Sequence, residues 1–256
     1  MTLWHETTGE GENLVLLHGW GMNSAVWSTL TEKLKDHYRV TLIDLPGHGF
    51  SSDSALVNAS LEEWADAVEA LLPENPVVLG WSLGGLVALA LALKHPARIR
   101  SLIMLTATPS FMQRDNWSCA MGKDTLENFA ANLKANLKTT LNRFLSLQIK
   151  GCDNARDLLK SLKNAFSSRP QAKIRALENG LSFLHDVDLR NCLTDLNVPS
   201  LWIYGEKDTL VPVCASDTIK LYLPEASVHI IKGSGHVPFL SHPDETLHAI
   251  AGWKVS

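Results

Sequence analysis

Residues 77–86 read VVLGWSLGGL: three apolar residues, then Gly80-Trp81-Ser82-Leu83-Gly84, then a small-residue apolar stretch. An unbroken apolar run fits a strand buried on both faces. The small side chains of Gly85, Ala88 and Ala92 fit a helix lying close against a sheet. A serine at that junction, with glycine two residues to either side, is the pattern of a sharp strand-to-helix turn that lifts a hydroxyl clear of the sheet edge. Such a turn strains the backbone at the serine. Side chains at positions 80 and 84 would collide across it, which accounts for glycine at both. The helix that follows would bring unpaired N–H groups and a positive dipole end beside the hydroxyl.

Working outward, short apolar runs ending in turn residues recur at 14–21, 40–49, 101–109, 200–208 and 227–236. Between them lie helical patterns. Residues 60–72 (SLEEWADAVEALL) begin with Ser60 and place Glu63 three residues on, a capping box. Leu61, Trp64, Ala65, Val68 and Leu71/Leu72 then share one face. Alternation of strand and helix predicts an α/β fold with a mostly parallel, doubly wound sheet. The alternation fails from about 111 to 184, where only helical patterns appear, at 124–137, 139–149, 153–166 and 171–184. A core of 1–110 and 185–256 is therefore expected to carry a helical lid at 111–184.

A serine hydroxyl is a weak nucleophile until a base takes its proton. Of the ten histidines, His236 has the best context: it follows the last strand-like run, in the loop KGSGHVPF. His95 precedes Pro96 at a helix end, His229 lies within a strand pattern and His242 falls at the entry to the final helix. The base in turn needs an acid to hold its tautomer. Asp208 lies just past the run 201–204, at the carboxyl end of a strand, where ligands bind in such sheets. Glu206 is nearby but is expected to point to solvent, and Asp44 comes before the serine in the chain. The order Ser82, Asp208, His236 matches the order of a hydrolase triad on this kind of sheet. Donors for a developing oxyanion are expected from the backbone N–H of Leu83 and, through the HGWG turn at 18–21, of Trp20, whose indole would line an acyl pocket. His18 is expected to brace that turn.

The net charge of −4 gives no footing for a general polyanion-binding role, so nucleic acid is not an expected partner. The first residues carry no basic, apolar leader, and the longest apolar stretch, near 86–93, is too short to span a bilayer. A cytoplasmic monomer is expected. Cys119, Cys152, Cys192 and Cys214 are widely and irregularly spaced, with no CxxC, and are expected to be free thiols. No HExxH or paired Cys/His spacing suggests a metal, and no cofactor is expected. The whole-chain charge hides a segregation. Residues 121–175 hold 11 basic and 4 acidic residues, a net +7, whereas the remainder holds 12 basic and 23 acidic, a net −11.

Taken together, LLHGWG, DLPGHGFS, GWSLGG, YGEKDTLVP and GSGHVPFLSHP resemble the α/β-hydrolase superfamily along the whole chain. LVLLHGWGMNSAVW, LGWSLGGLVA and RFLSLQIKG further resemble the biotin-pathway carboxylesterases, which hydrolyse the methyl ester of a pimeloyl group carried on acyl carrier protein. The resemblance implies a Ser82, Asp208, His236 triad acting through an acyl-enzyme. It implies substrate contacts from Trp20, Ser82, Leu83, His236 and the stretch Phe144, Leu145, Ser146, Leu147 and Gln148. It also implies that Arg143, Arg156 and Lys160 face an acidic acyl carrier protein, with Lys160 replacing an arginine of the family and a further family arginine position falling at Thr139. The residues alone leave other outcomes open: a broad short-chain esterase, a hydrolase of lactones or C–C bonds, or a receptor that keeps the triad to bind a ligand. A dehalogenase is disfavoured, because that chemistry needs an aspartate where Ser82 stands.

Overall fold

The computed structural model describes residues 2–133 and 135–253. Seven strands, β1 (His5–Thr8), β2 (Glu12–Leu17), β3 (Tyr38–Ile43), β4 (Val77–Trp81), β5 (Ser101–Leu105), β6 (Ser200–Gly205) and β7 (Ser227–Ile231), form one sheet. Its order is β1-β3-β2-β4-β5-β6-β7. Only β1 runs antiparallel to its neighbour; the other pairs are parallel. The six apolar runs of the sequence account for six strands. The seventh, β1, reads HETT and is exposed along its length. It has no buried face to leave a hydrophobic signature and is held by its ladder to β3, with Thr7 and Thr41 hydroxyls 2.9 Å apart.

The central strands are apolar on both faces because both are covered. Val15, Leu17, Val78, Leu102, Met104, Trp202 and Tyr204 enter one core. Their neighbours Leu14, Leu16, Leu79, Ile103, Leu105, Leu201 and Ile203 enter the other, as strand alternation requires. Helices α1 (Ser28–Leu34), α2 (Leu61–Glu69) and α3 (Leu83–Lys94) follow the first strands. The α2 capping box is formed: Glu63 N–H donates to Ser60 Oγ (3.2 Å) and Ser60 N–H to Glu63 Oε2 (2.8 Å). From Leu83 to Ala92 every residue of α3 is buried, so only the end of this helix, at Leu93 and Lys94, reaches solvent.

Between β5 and β6 the chain runs through α4 (Lys123–Leu133), α5 (Leu137–Gln148), α6 (Ala155–Ser167) and α7 (Ile174–Asp186). The expected helix 124–137 stops short, because Asn136 caps α5 by accepting from Thr139 N–H. After β6 come α8 (Ala215–Tyr222) and, beyond β7, α9 (Pro238–Ser241) and α10 (Pro243–Gly252). No helix among the described residues is long and apolar enough to cross a membrane.

Two expectations are corrected. Cys119 and Cys214 are not free: they form a disulfide with Cα atoms 5.6 Å apart, while Cys152 and Cys192 stay unpaired. The fold brings the segment after β5 against the start of α8, a meeting across 95 residues that local spacing cannot display. Second, Arg169, counted among the basic residues of the helical segment, does not belong to an open charged face. Its guanidinium lies 3.9 Å from the Trp4 ring centroid and 5.0 Å from that of Phe50, and its Nη1 donates to Asp44 Oδ2 at 3.0 Å.

Asp44 is wholly buried and also accepts from Ser24 N–H and Oγ–H (2.7 Å each) and from Phe50 N–H (2.9 Å). Burial opposes its ionisation, but the adjoining His18 ring and the Ser24 and Phe50 donors outweigh this and hold its pKa below the usual value. One carboxylate thus joins the turn after β2, the turn after β3 and the α6–α7 connection. Removing one partner of a buried pair leaves the other charge unmet and costs roughly 3–5 kcal/mol. Arg169→Met is therefore expected to lower the urea midpoint by a matching amount with little change in slope, as checked by equilibrium denaturation.

Candidate active site

β4 ends at Trp81 and α3 begins at Leu83, so a single residue, Ser82, makes the turn between them. Its backbone sits at φ 55, ψ −119, a region that costs a non-glycine residue about 1–3 kcal/mol. The strain is held from several sides: Ser82 N–H donates to Leu105 O (3.2 Å), and its carbonyl accepts from Gly85 and Leu86 N–H (2.9 and 3.2 Å). The flanking glycines are steric requirements. A Cβ on Gly80 would stand 2.2 Å from the Gly84 carbonyl oxygen, and one on Gly84 would stand 2.4 Å from that of Leu17.

His236 enters from the loop after β7 and Asp208 from the turn after β6. His236 Nδ1 lies 2.7 Å from Asp208 Oδ2. The other carboxylate oxygen accepts from the N–H groups of Leu210 (2.8 Å) and Val211 (3.1 Å), which fixes the plane of the acid. All three residues are buried. With Asp208 accepting from Nδ1–H, the ring's acceptor atom is Nε2, which has no hydrogen-bond partner among the described residues. Glu206 does turn outward, where its carboxylate accepts from Gly233 N–H at 2.8 Å.

Near Ser82, the closeness of Gly84 to both Leu17 and His18 carbonyls presses the start of α3 against the end of β2. Leu83 and Trp20 converge as a result: a Cβ on Gly180 of α7 would meet Trp20 Cδ1 at 2.8 Å and Leu83 Cδ2 at 3.0 Å. The Trp20 indole N–H donates to Leu177 O (2.8 Å), and its ring packs edge-on to Phe144 at 4.6 Å. His18 braces the turn by accepting from Leu45 N–H at 3.0 Å through Nε2 and bonding Gly19 O at 2.9 Å through Nδ1. Burial lowers its pKa, and burial likewise pushes that of its neighbour His48 down to about 3.

The stretch 144–148 is divided by helical geometry. Phe144 and Gln148, four residues apart on α5, face inward; the Gln148 carbonyl accepts from His236 N–H at 3.2 Å. Leu145 enters the opposite core. Ser146 is exposed, with its hydroxyl donating to Asn142 O (2.9 Å), and Leu147 is half-buried. Ser146, Leu147 and Arg143 line a cleft of about 740 Å³ between α4 and α5 that does not include Ser82, Asp208 or His236. Arg156 and Lys160 stand exposed on α6. Lys173 pairs with Asp53, Lys134 lies outside the described residues, and nothing is described of the Lys123 side chain. Lys138, Arg143, Lys150, Arg156, Lys160, Lys163 and Arg175 are exposed. Among the described residues none of these seven takes part in an ion pair; the pairs of the helical segment include those of Arg114, Asp153, Arg169 and Lys173.

Sheet order, the serine turn and the buried His–Asp pair together define a class, and comparison with known proteins agrees. Residues 12–243 match the family described as alpha/beta hydrolase fold, and the chain belongs to it. It is 43% identical over 245 residues, 96% of each chain, to a pimeloyl-[acyl-carrier protein] methyl ester esterase of Aeromonas hydrophila subsp. hydrophila. It is 38% identical over 250 residues to the protein of that name from Nitrosospira multiformis, covering 96% of this chain and 95% of the other. Among solved structures, an esterase from Exiguobacterium antarcticum superposes with a TM-score of 0.89 at 24% identity, covering 98% of this chain and 94% of that one. An enol-lactonase from Burkholderia xenovorans superposes with a TM-score of 0.84 at 18% identity, covering 98% and 95%. These two likenesses concern the fold alone.

The steric reading of the turn has a direct check. Gly84→Ala forces a methyl group into the Leu17 and His18 carbonyls and is expected to lower the melting temperature and abolish ester turnover together. The equivalent change at Gly252, where a Cβ meets nothing within 4 Å, should alter neither; circular dichroism melts and an esterase assay read both.

Proposed function

We propose that the chain is a serine carboxylesterase that hydrolyses the methyl ester of a pimeloyl group carried on acyl carrier protein, releasing methanol, in biotin synthesis. The observation that carries the chemistry is the strained, buried Ser82 turn together with the 2.7 Å His236–Asp208 pair, whose Nε2 is unclaimed by any described side chain. Support for the substrate comes from the names of relatives about 40% identical over 95–96% of this chain.

In this reading Ser82 Oγ attacks the ester carbonyl while His236 Nε2 takes its proton. Asp208 stabilises the imidazolium and holds the ring. The N–H groups of Leu83 and Trp20 receive the oxyanion; neither is taken by another acceptor among the described residues. The tetrahedral intermediate collapses, the C–O bond to methoxide breaks, and the imidazolium gives methoxide its proton. Water then attacks the acyl-enzyme, losing a proton to His236, and Ser82 leaves with that proton. Phe144 and Trp20, packed edge to face, would bound the acyl chain.

The exposed cations of α5 and α6, with Arg143, Arg156 and Lys160 among them and no ion-pair partner among the described residues, would steer an acidic carrier toward the helical lid. A carrier-linked substrate supports a place in the carrier's own compartment, the cytoplasm. Ser82→Ala is expected to remove multiple turnover of a p-nitrophenyl ester while leaving the melting temperature nearly unchanged; one-turnover labelling of the native chain without release would point instead to a receptor. Raising ionic strength from about 0.01 M to about 0.15 M shortens the Debye length from about 30 Å to about 8 Å. That change is expected to cut kcat/KM for the carrier-linked methyl ester about tenfold or more and to leave a small soluble ester nearly unaffected. Equal salt responses of the two substrates would overturn carrier docking on this face.

A further inference from the structure

Among the described residues, four non-glycine residues have positive φ: Asn75, Ser82, Thr106 and Asn116. Asparagine tolerates this region through its short polar side chain, and Ser82 is the turn already described. Thr106, with φ 41, is different. It is β-branched, for which left-handed backbone is a true outlier, and it is fully buried directly after β5. Such strain persists only where the surroundings over-determine it, and it clusters at functional positions.

The contacts show what Thr106 delivers. Its N–H donates to Ile203 O (2.8 Å), locking the end of β5 to β6. Its hydroxyl donates to the main-chain carbonyl of His236 at 3.0 Å. A second donor converges on the same oxygen: the indole N–H of Trp81, at 2.8 Å. Trp81 is the residue before Ser82, its ring centroid lies 5.8 Å from that of His236, and it packs edge-on to Phe239 at 5.0 Å. The Asp208 contact fixes the imidazole at one ring atom only. The backbone from which the ring hangs is held on its N–H side by the Gln148 carbonyl, and the two donors hold its carbonyl side.

We propose that Thr106 and Trp81 are positioning residues for His236: their converging donors fix its carbonyl so that Nε2 is aimed at the Ser82 hydroxyl, and the strained backbone at Thr106 is the condition for placing its hydroxyl there. The proposal rests on His236 being the base. Because Trp81 precedes Ser82 and Ser82 N–H is bonded to Leu105 O, one lattice across the ends of β4, β5 and β6 sets both nucleophile and base.

The test compares steady-state kinetics of a small p-nitrophenyl ester for native protein, Thr106→Val, Thr106→Gly, Thr106→Ser and Trp81→Phe. Valine keeps the shape and removes the donor; glycine relieves the strain and removes the donor; serine keeps the hydroxyl. Misplacing a catalytic group by about an ångström costs up to about 100-fold. The expected result is a fall in kcat of about 10- to 100-fold for Val, Gly and Trp81→Phe with KM nearly unchanged, and recovery of most of the rate in Thr106→Ser. Native kcat in Thr106→Val, or in Trp81→Phe should the valine variant fail to fold, would overturn the proposal, as would a loss that Thr106→Ser does not restore. His236→Ala separates the two layers. If it retains turnover, the base assignment itself is wrong; if it abolishes turnover while the donor variants do not, only the positioning role is wrong.

Discussion

The contact on which the arrangement depends is the approach of the first turn of α3 to the end of β2, where Gly84 lies under the carbonyls of Leu17 and His18 with no room for a methyl group. That approach lets one residue reverse the chain between β4 and α3, and so holds Ser82 in a backbone conformation it would not otherwise adopt. It also brings the Leu83 and Trp20 segments together, although 62 positions of sequence separate them. The hydroxyl, the two amides and the indole that faces Phe144 are therefore consequences of a single packing constraint. They are not four independent placements.

A second constraint ties the helical segment to this centre. Arg169, from the connection between α6 and α7, reaches the same carboxylate that holds Ser24 and Phe50. Trp20 bonds α7 through Leu177, Asn23 Nδ2 donates to Ala165 O at 3.2 Å, and Gln148 at the end of α5 accepts from His236. The turn after β2 thus touches the sheet on one side and, through Leu177, Ala165 and the Phe144 ring, three helices of the insertion on the other. A buried ion pair carries a desolvation cost that a hydrophobic pair would not. Here it joins three separated turns at one point, which apolar packing has no directional means to do.

Much of this was legible in the sequence because the physics is local. Strands buried on both faces must be apolar throughout, and the GxSxG turn must have its glycines. His236 and Asp208 lie where the strand pattern stops, so their placement followed from the strand assignments. What was not legible depends on distant partners or on helical phase. β1 has no apolar face to reveal it. Cys119 and Cys214 meet only through the tertiary path. Arg169 looks like any surface cation until Trp4 and Phe50, more than 100 residues away in the chain, close over it. The family resemblance implies substrate contacts all along 144–148, but α5 turns each residue by about 100°. Phe144 and Gln148 consequently face the site while Leu145 and Ser146 do not.

The disulfide between Cys119 and Cys214 also has a topological meaning. The bond joins cysteines 95 positions apart and closes the chain between them into a ring. Inside that ring are α4 to α7, β6 and Asp208; outside it are Ser82 and His236. When the oxidised chain unfolds, its ends are free but the ring persists, which removes on the order of 4–5 kcal/mol of chain entropy from the denatured ensemble in a simple loop-closure account. The acid and the whole helical insertion therefore remain one covalently closed body of chain even without the sheet. Refolding then joins that body to two flanking segments, one bringing the nucleophile and the other the base.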